Sequence, residues 1–323
     1  IADLVERDAA YETSDGVYMD TSVVDDYGLL ARQSLDSLQA GARVAVNDEK
    51  RSPIDFAVWK KSKPGEVSWD SPWGAGRPGW HTECVVMALD LLGDGFDIHG
   101  GGQDLAFPHH ENERAQAAAW GHRFSGHWVH NGFVEVDGEK MSKSLNNYTT
   151  LIDFIQKSDP RAYRLLVLRS HYRSPIEVTP ETVADAEAAL ERLDSFARRT
   201  ADLDGVASSE VLDRFRSYMD DDMDTPGVMA LVFETVRAAN SGLDAGEDVA
   251  AQAVAVREVT EALGLHLNAA PDEVPSDVQA LVVERDDARA ARDWATSDRI
   301  RDELVASGWI VEDSADGTKV RRA

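Results

Sequence analysis

From Leu151 onward, apolar residues recur at three- and four-residue spacing almost without interruption, whereas upstream of it they do not. That change of period divides the chain into two kinds of structure. Residues 179–201, 208–222, 225–241 and 249–263 each carry an apolar stripe, and the short polar joins between them suggest a helical bundle. Upstream, 82–92 reads as helix, 96–99 as strand, 100–102 as a glycine loop and 109–120 as a second helix, followed by a strand and a loop. This alternation is the sequence form of a parallel α/β sheet. Residues 1–80 are mixed, with helical stretches at 1–11 and 29–38, strand-like runs at 16–19 and 44–46, and a Pro/Gly/Trp-rich loop over 63–80. After a proline-containing stretch at 268–275 come helices at 277–289 and 293–307, then a hairpin of 309–312 and 318–322. The expected architecture is α/β, then an all-α bundle, then a small α+β end.

Composition removes several function classes. No apolar run is long enough to span a bilayer, and residues 1–20 lack the hydrophobic core of a signal peptide. No membrane role is expected, and the location read from this is cytoplasmic. A single cysteine, Cys84, rules out a disulfide framework within the chain. Fifty-nine acidic against 33 basic residues give a formal charge of −26, and only eight of the basic residues are lysine. The excess is spread through every segment, which favours a halophilic surface over that of an acidic protein from an ordinary cytosol. At ~1 M salt the Debye length is only ~3 Å, so such a surface steers RNA weakly whichever sign it carries.

Four clusters carry chemistry. Lys140-Met141-Ser142-Lys143-Ser144 follows a hairpin at 134–140 and sets two lysines three apart among small hydroxyl residues. Cations there can meet the charge that develops as pyrophosphate leaves ATP. The strand at 96–99 runs into Gly100, Gly101 and Gly102, which let the backbone approach a ligand, and Asp104 can accept hydrogen bonds from ribose hydroxyls. A tight strand-to-helix turn accounts for the same glycines. His109 and Glu113 lie four apart at the start of a helix and stack on one face. With Cys84 they offer nitrogen, oxygen and sulfur, a mixed set that suits zinc, although a buried cysteine and an ordinary His–Glu pair fit the spacing equally well. Finally, Arg289, Trp294 and Asp298 surround a helix start. A cation, a stacking surface and a carboxylate are groups that read unstacked RNA bases, and an aromatic helix packed on a hairpin is the plainer reading.

Together, Gly79-Trp80-His81-Thr82-Glu83-Cys84, Asp97-Ile98-His99-Gly100-Gly101-Gly102, Phe107-Pro108-His109-His110-Glu111-Asn112-Glu113 and the lysine loop resemble the cysteinyl-tRNA synthetases in order and spacing. The similarity runs from near Ile1 to Arg322. It implies a class I aminoacyl-tRNA synthetase with a partial Rossmann-like catalytic domain over 1–148, including a connective insertion over about 1–75. A stem-contact region and all-α helical bundle would follow over 149–267, and an α+β anticodon-binding domain over 268–323. The implied reaction activates L-cysteine with ATP (with Mg2+) to cysteinyl-adenylate and transfers the cysteinyl group to the 3′ end of tRNA(Cys). By the same resemblance Cys84, His109 and Glu113 hold Zn2+, while Trp80 and His99 line the cysteine pocket. Gly101, Gly102 and Asp104 meet the adenosine, and Lys140 and Lys143 serve catalysis, Lys143 on the ATP phosphates. Arg289, Trp294 and Asp298 fall in the anticodon-reading end, and a monomer is implied.

The chain opens at Ile1 rather than methionine, and the family's first signature, His-Ile-Gly-His, and its second zinc cysteine do not occur in it. An N-terminally truncated piece, inactive alone, is the expectation. Two other functions share these motifs. One is a related ligase that joins cysteine to an amino-sugar inositol, against which the segment 294–322 argues. The other is a non-catalytic remnant that binds tRNA or a protein.

Overall fold

Asp8 adopts φ 56°, a left-handed conformation that aspartate tolerates better than most residues, and it stops the first helix early. The helix expected over 1–11 is only Ala2–Glu6, and the chain reverses into the first strand, β1, at Ala10–Thr13. The computed structural model describes residues 1–32, 49–136, 138–142, 150–270, 274–314 and 317–322. The strand expected over 44–46 and most of the helix expected over 29–38 lie outside them, and 29–32 form turns. The chain divides into two units, Ile1–Glu187 with Ser217–Met229, and Ala188–Arg216 with Ala230–Ala323.

In the first unit, β1, β2 (Gly16–Met19), β3 (Phe56–Lys61) and β4 (Gly76–Pro78) make an antiparallel sheet in that order. Its inner side chains, Val17, Met19, Val58 and Trp59, pack with Leu4 of the first helix and Ala115 of the Glu111–Trp120 helix. One buried carboxylate ties the sheet together. Asp55 is 2% exposed and accepts from the Tyr11 hydroxyl at 2.7 Å, from the backbone and hydroxyl of Thr21, and from Ser52 N. A buried carboxylate is tolerable only with such a set of donors.

The α/β part follows. The helix Trp80–Leu92, starting two residues before the expected 82, leads to β5, Phe96–Gly102, which continues through all three glycines. The Glu111–Trp120 helix then crosses back to β6, Ser125–Asn131, parallel to β5, with Ile98 opposite His127 and Gly101 opposite His130. Parallel strands require such a crossover, and here it buries Val85, Phe96, Ala117 and Phe124 as one cluster. The hairpin of β7 (Val134–Val136) and β8 (Glu139–Lys140) is joined by β9, Ile176–Glu177, parallel to β7. Residues 217–229 belong to this unit in part through Asp222, which accepts from Tyr172 Oη at 2.8 Å and from Arg173 Nε at 2.6 Å.

The second unit is helical, as the change of period predicts. The stripes expected there are the helices Pro180–Arg199, Ser209–Asp220, Thr225–Ala245 and Ala250–Ala262, of which this unit holds the larger part. Leu190, Leu193, Phe196, Leu231, Val232, Val256 and Val259 are buried in it. Arg257 donates to the carbonyls of Thr200 and Leu203 at 3.0 and 2.6 Å, which satisfies chain-end acceptors where the first of these helices stops. Helices Ser276–Ala290 and Trp294–Ala306 and the hairpin of β10 (Trp309–Ser314) and β11 (Gly317–Arg322) enclose Val278, Val282, Ile300, Leu304 and Trp309. Arg285 is 2% exposed and donates to Asp313 Oδ1 at 2.7 Å and to the Thr318 hydroxyl. Among the described residues, no helix is long and apolar enough to cross a membrane.

Asp55→Ala leaves several donors facing a space without an acceptor and is expected to cost about 2–4 kcal/mol of stability. An unchanged urea midpoint for the first unit's tryptophan fluorescence would show that Asp55 does not hold the sheet.

Candidate active site

Glu113 sits in the first turn of its helix, where the macrodipole favours carboxylates, and its side chain is 0% exposed. The helix expected over 109–120 begins only at Glu111, because residues 106–110 form a separate, wider turn, Ala106–His110. His109 still comes over Glu113, with Nε2 2.9 Å from Oε1. From β5, His99 brings its Nε2 to 2.9 Å from the other oxygen, Oε2. Close as these contacts are, neither has the geometry of a hydrogen bond, and both carboxylate oxygens are buried without a hydrogen-bond partner.

Cys84, in the second turn of the Trp80–Leu92 helix, places Sγ 3.6 Å from His109 Nε2. The ligand atoms of Cys84, His109 and Glu113 lie within 4.8 Å of one another. Around a tetrahedral zinc, sulfur at ~2.3 Å and nitrogen at ~2.0 Å from the ion stand about 3.5 Å apart, close to the edge seen here. His99, His110 and Glu113 meet the same 4.8 Å limit, so the two sets share one carboxylate and form one cage. Orphaned buried oxygens beside sulfur and imidazole fit a divalent cation.

Electrostatics point the same way. Burial, and then the Glu113 carboxylate, push the Cys84 thiol up to about 12, so the protein's own charges keep it protonated. Burial lowers His109, and it takes His81 and His110 down to about 4, with His109 and Lys60 adding to the effect on His81. Burial acts to raise the Glu113 carboxyl, but His99, His109 and His110 outweigh it and hold the group below its ordinary range. The result is a carboxylate beside imidazoles, those of His81, His109 and His110, that burial drives toward neutrality, a ligand set lacking positive charge.

A second layer orients the first. His81 Nδ1 lies 2.7 Å from His109 Nδ1, Asn112 Nδ2 lies 3.2 Å from His81 Nε2, and the Tyr27 hydroxyl donates to Asn112 Oδ1. With Asn112 donating, His81 carries its proton on Nδ1 and gives it to His109, whose own proton is then on Nε2, facing Glu113. A cation on Nε2 needs the opposite tautomers, with the Asn112 amide turned over. Trp80 is 56% exposed and lies over His109, ring centroids 3.8 Å apart. His99 is boxed by Phe96, Phe124 and Trp128.

Just beyond β5, Asp104 meets Lys140 at 2.7 Å, and this contact is the first reason that its carboxyl is lowered. Lys140 Nζ also lies 4.2 Å from the Phe133 ring centroid. Lys143 and Ser144 lie outside the described residues, so only the first lysine of the loop has a described position. Gly101 and Gly102 are intermediate in exposure on the last turn of the strand. In the second unit, Arg289 donates to Asp313 Oδ2 at 3.0 Å, while Trp294 (58% exposed) and the exposed Asp298 share one face of the Trp294–Ala306 helix at i and i+4. The structure therefore brings Cys84, His99, His109 and Glu113 together with Trp80 over them. The sequence motifs assign nothing to His81, His110, Asn112 or His130, although His110 Nδ1 is 2.8 Å from His130 Nε2. Adjacency to Trp80 and to His109 is the one signal that His81 and His110 offer.

A Cβ on Gly101 would stand 2.9 Å from both His110 Cε1 and Leu105 Cδ1, whereas one on Gly100 would make an ordinary contact at 3.4 Å. Gly101→Ala is expected to cost about 1–3 kcal/mol by overpacking the cage, and Gly100→Ala much less. Equal urea midpoints for the two variants would contradict this.

Comparison with known families follows the same division. Residues 1–188 match the profile of the class I (C) tRNA synthetase catalytic domain, 214–268 that of the DALR domain, and 272–321 that of the cysteinyl-tRNA ligase anticodon binding domain. The cysteine–tRNA ligase of Chromobacterium violaceum is 46% identical over 339 residues, covering 100% of this chain and 73% of its own length. That of Idiomarina loihiensis is 44% identical, covering 99% and 72%. Among solved structures, Mycobacterium tuberculosis methionyl-tRNA synthetase in complex with methionyl-adenylate aligns with a TM-score of 0.55 at 15% identity, over 83% of this chain and 62% of that one, a likeness of fold. With whole-chain identity at this level and a matched catalytic profile over more than half its length, the chain belongs to the cysteine–tRNA ligase family, of class I fold.

Proposed function

We infer that the chain acts in cysteine–tRNA ligation, and the observation that carries this is the cage of Cys84, His109 and Glu113 beside β5, with Asp104 and Lys140 just beyond that strand's last glycine. In the first step a carboxylate oxygen of L-cysteine attacks the α-phosphorus of ATP (with Mg2+), and pyrophosphate leaves. In the second, a hydroxyl of the terminal ribose of tRNA(Cys) attacks the carbonyl carbon, and AMP leaves with the bonding pair.

Each residue has a part that its surroundings support. Cys84, His109 and Glu113 would hold Zn2+. When bound, the ion supplies a position for the substrate thiolate that serine's hydroxyl fills poorly, which is discrimination without a separate editing site. Trp80 and His99 wall the amino-acid side, the first by its exposed ring and the second from within an aromatic box. Gly101 and Gly102 let the backbone close on the nucleotide, Asp104 accepts from the ribose, and Lys140 and Lys143 meet the departing pyrophosphate. The 2.7 Å contact between Lys140 and Asp104 sets the first lysine of the loop beside the carboxylate assigned to the ribose. Trp294 offers a stacking face to an anticodon base, with Asp298 beside it and Arg289 steadied by Asp313. We assign catalysis to 1–148, stem contact and the bundle to 149–267, and anticodon reading to 268–323. We also place the protein in the cytoplasm, as a monomer with an acidic, halophilic surface.

Two assays test this. The thiol at about 12 must lose its proton to bind a cation, while the lowered His109 is already neutral. One proton is released per ion, so zinc affinity is expected to rise about tenfold per pH unit from pH 6 to 8, and to fall as protons compete at lower pH. Competition with a chromophoric chelator measures this. Cys84→Ala should abolish both the binding and its pH dependence, and equal zinc content in the variant would mean that the ligand set is wrong. Offering the intact protein tRNA(Cys) or an amino-sugar inositol as acceptor separates the related ligases, and acceptance of the sugar alone would sink the tRNA reading.

A further inference from the structure

β3 and β4 leave two cations side by side. Lys60 and Arg77 are direct partners in the antiparallel register, so their side chains stand on one face of the sheet. Like charges so placed repel, and proteins ordinarily neutralise them. Among the described residues neither Lys60 nor Arg77 forms an ion pair, although the chain carries 59 acidic residues against 33 basic. Their neighbours do pair: Lys61 reaches Glu12 at 3.2 Å and Arg51 reaches Asp20 at 3.1 Å. Both Lys60 and Arg77 are exposed, and half of the eight lysines fall at positions 50, 60, 61 and 63. A concentration of unneutralised positive charge in a chain of formal charge −26 is suited to an anion from outside.

The pair stands beside the cage. β4 ends at Pro78, and Gly79 N donates to Val58 O at 2.8 Å, which turns the chain directly into Trp80 and His81. His81 in turn lies 2.7 Å from His109 of the cage. Resting on the ligase reading, we propose that Lys60 and Arg77 bind backbone phosphates of the tRNA's unpaired 3′ end and bring its terminal ribose to the activated amino acid. The phosphates of ATP are the other anion in the reaction. They belong with Asp104 and Lys140 beyond the last glycine of β5, whereas Arg77 precedes Trp80 by three residues and Lys60 is its partner in register. Transfer requires RNA to reach the aminoacyl carbonyl while AMP still occupies the site beside Asp104, so a cationic pair next to Trp80 meets RNA.

The test titrates the chain and its Lys60→Gln/Arg77→Gln variant with tRNA(Cys) and with the same tRNA trimmed of its unpaired 3′ nucleotides. Both positions are exposed and glutamine relieves their repulsion, so the variant is expected to melt no lower than the parent. For intact tRNA the variant should bind about tenfold more weakly, with the slope of log affinity against log salt flatter by about 1.4 for two lost single-strand phosphate contacts. For trimmed tRNA it should match the parent. Equal losses on both RNAs, or none on either, overturn the proposal and leave the ligase reading standing. A loss of ATP affinity without a loss on intact tRNA overturns it in favour of the nucleotide. Failure of the unmodified chain to bind either RNA removes the tRNA reading, and this proposal with it.

Discussion

A carboxylate sealed from water governs the site. Glu113 has no exposed side-chain surface and no hydrogen bond to either oxygen, yet its surroundings hold it ionised. An isolated buried charge costs several kcal/mol or more, and proteins keep one only where paired charge, hydrogen bonds or a metal offsets it. The helix start contributes a little, and the three imidazoles that approach it contribute more. The buried donor set of Cys84, His109 and Glu113 fits a cation that would supply the rest.

Other features of the cage follow from that dryness. The surrounding histidines are driven toward neutrality, which is the state a metal ligand needs, and the thiol is kept protonated until an ion displaces its proton. His81, Asn112 and Tyr27 extend the order outward as a chain of polar contacts that sets which imidazole nitrogen is free. Packing is tight enough that Gly101 has no room for a methyl group. A site whose ligands are held by buried neighbours loses little entropy when an ion or substrate arrives.

The acidic surface poses a different problem. A chain of formal charge −26 repels the nucleic acid it is inferred to handle, so long-range attraction does not bring the two together. On the ligase reading, recognition falls to contact: bases on exposed rings such as Trp294, and phosphates on the proposed Lys60–Arg77 pair. In the anticodon-binding end, Arg285 and Arg289 both pair with Asp313, which ties the helix to β10, and Trp294 is exposed.

The sequence by itself determined the division into an α/β part and a helical part, because period is a local property that each segment expresses alone. It also marked Cys84, His109 and Glu113 as a set, but spacing left their purpose open. Local reasoning failed where backbone geometry intervened: Asp8 ended the first helix, and His109 proved to lie in the turn before its helix rather than inside it. Only the tertiary structure decided that Glu113 is dry, that His99 comes in from β5, and that His81, His110 and Asn112 complete the cage. It alone set Lys60 opposite Arg77. Burial and cross-strand register depend on partners distant in the chain, and no window of sequence contains both members of such a pair.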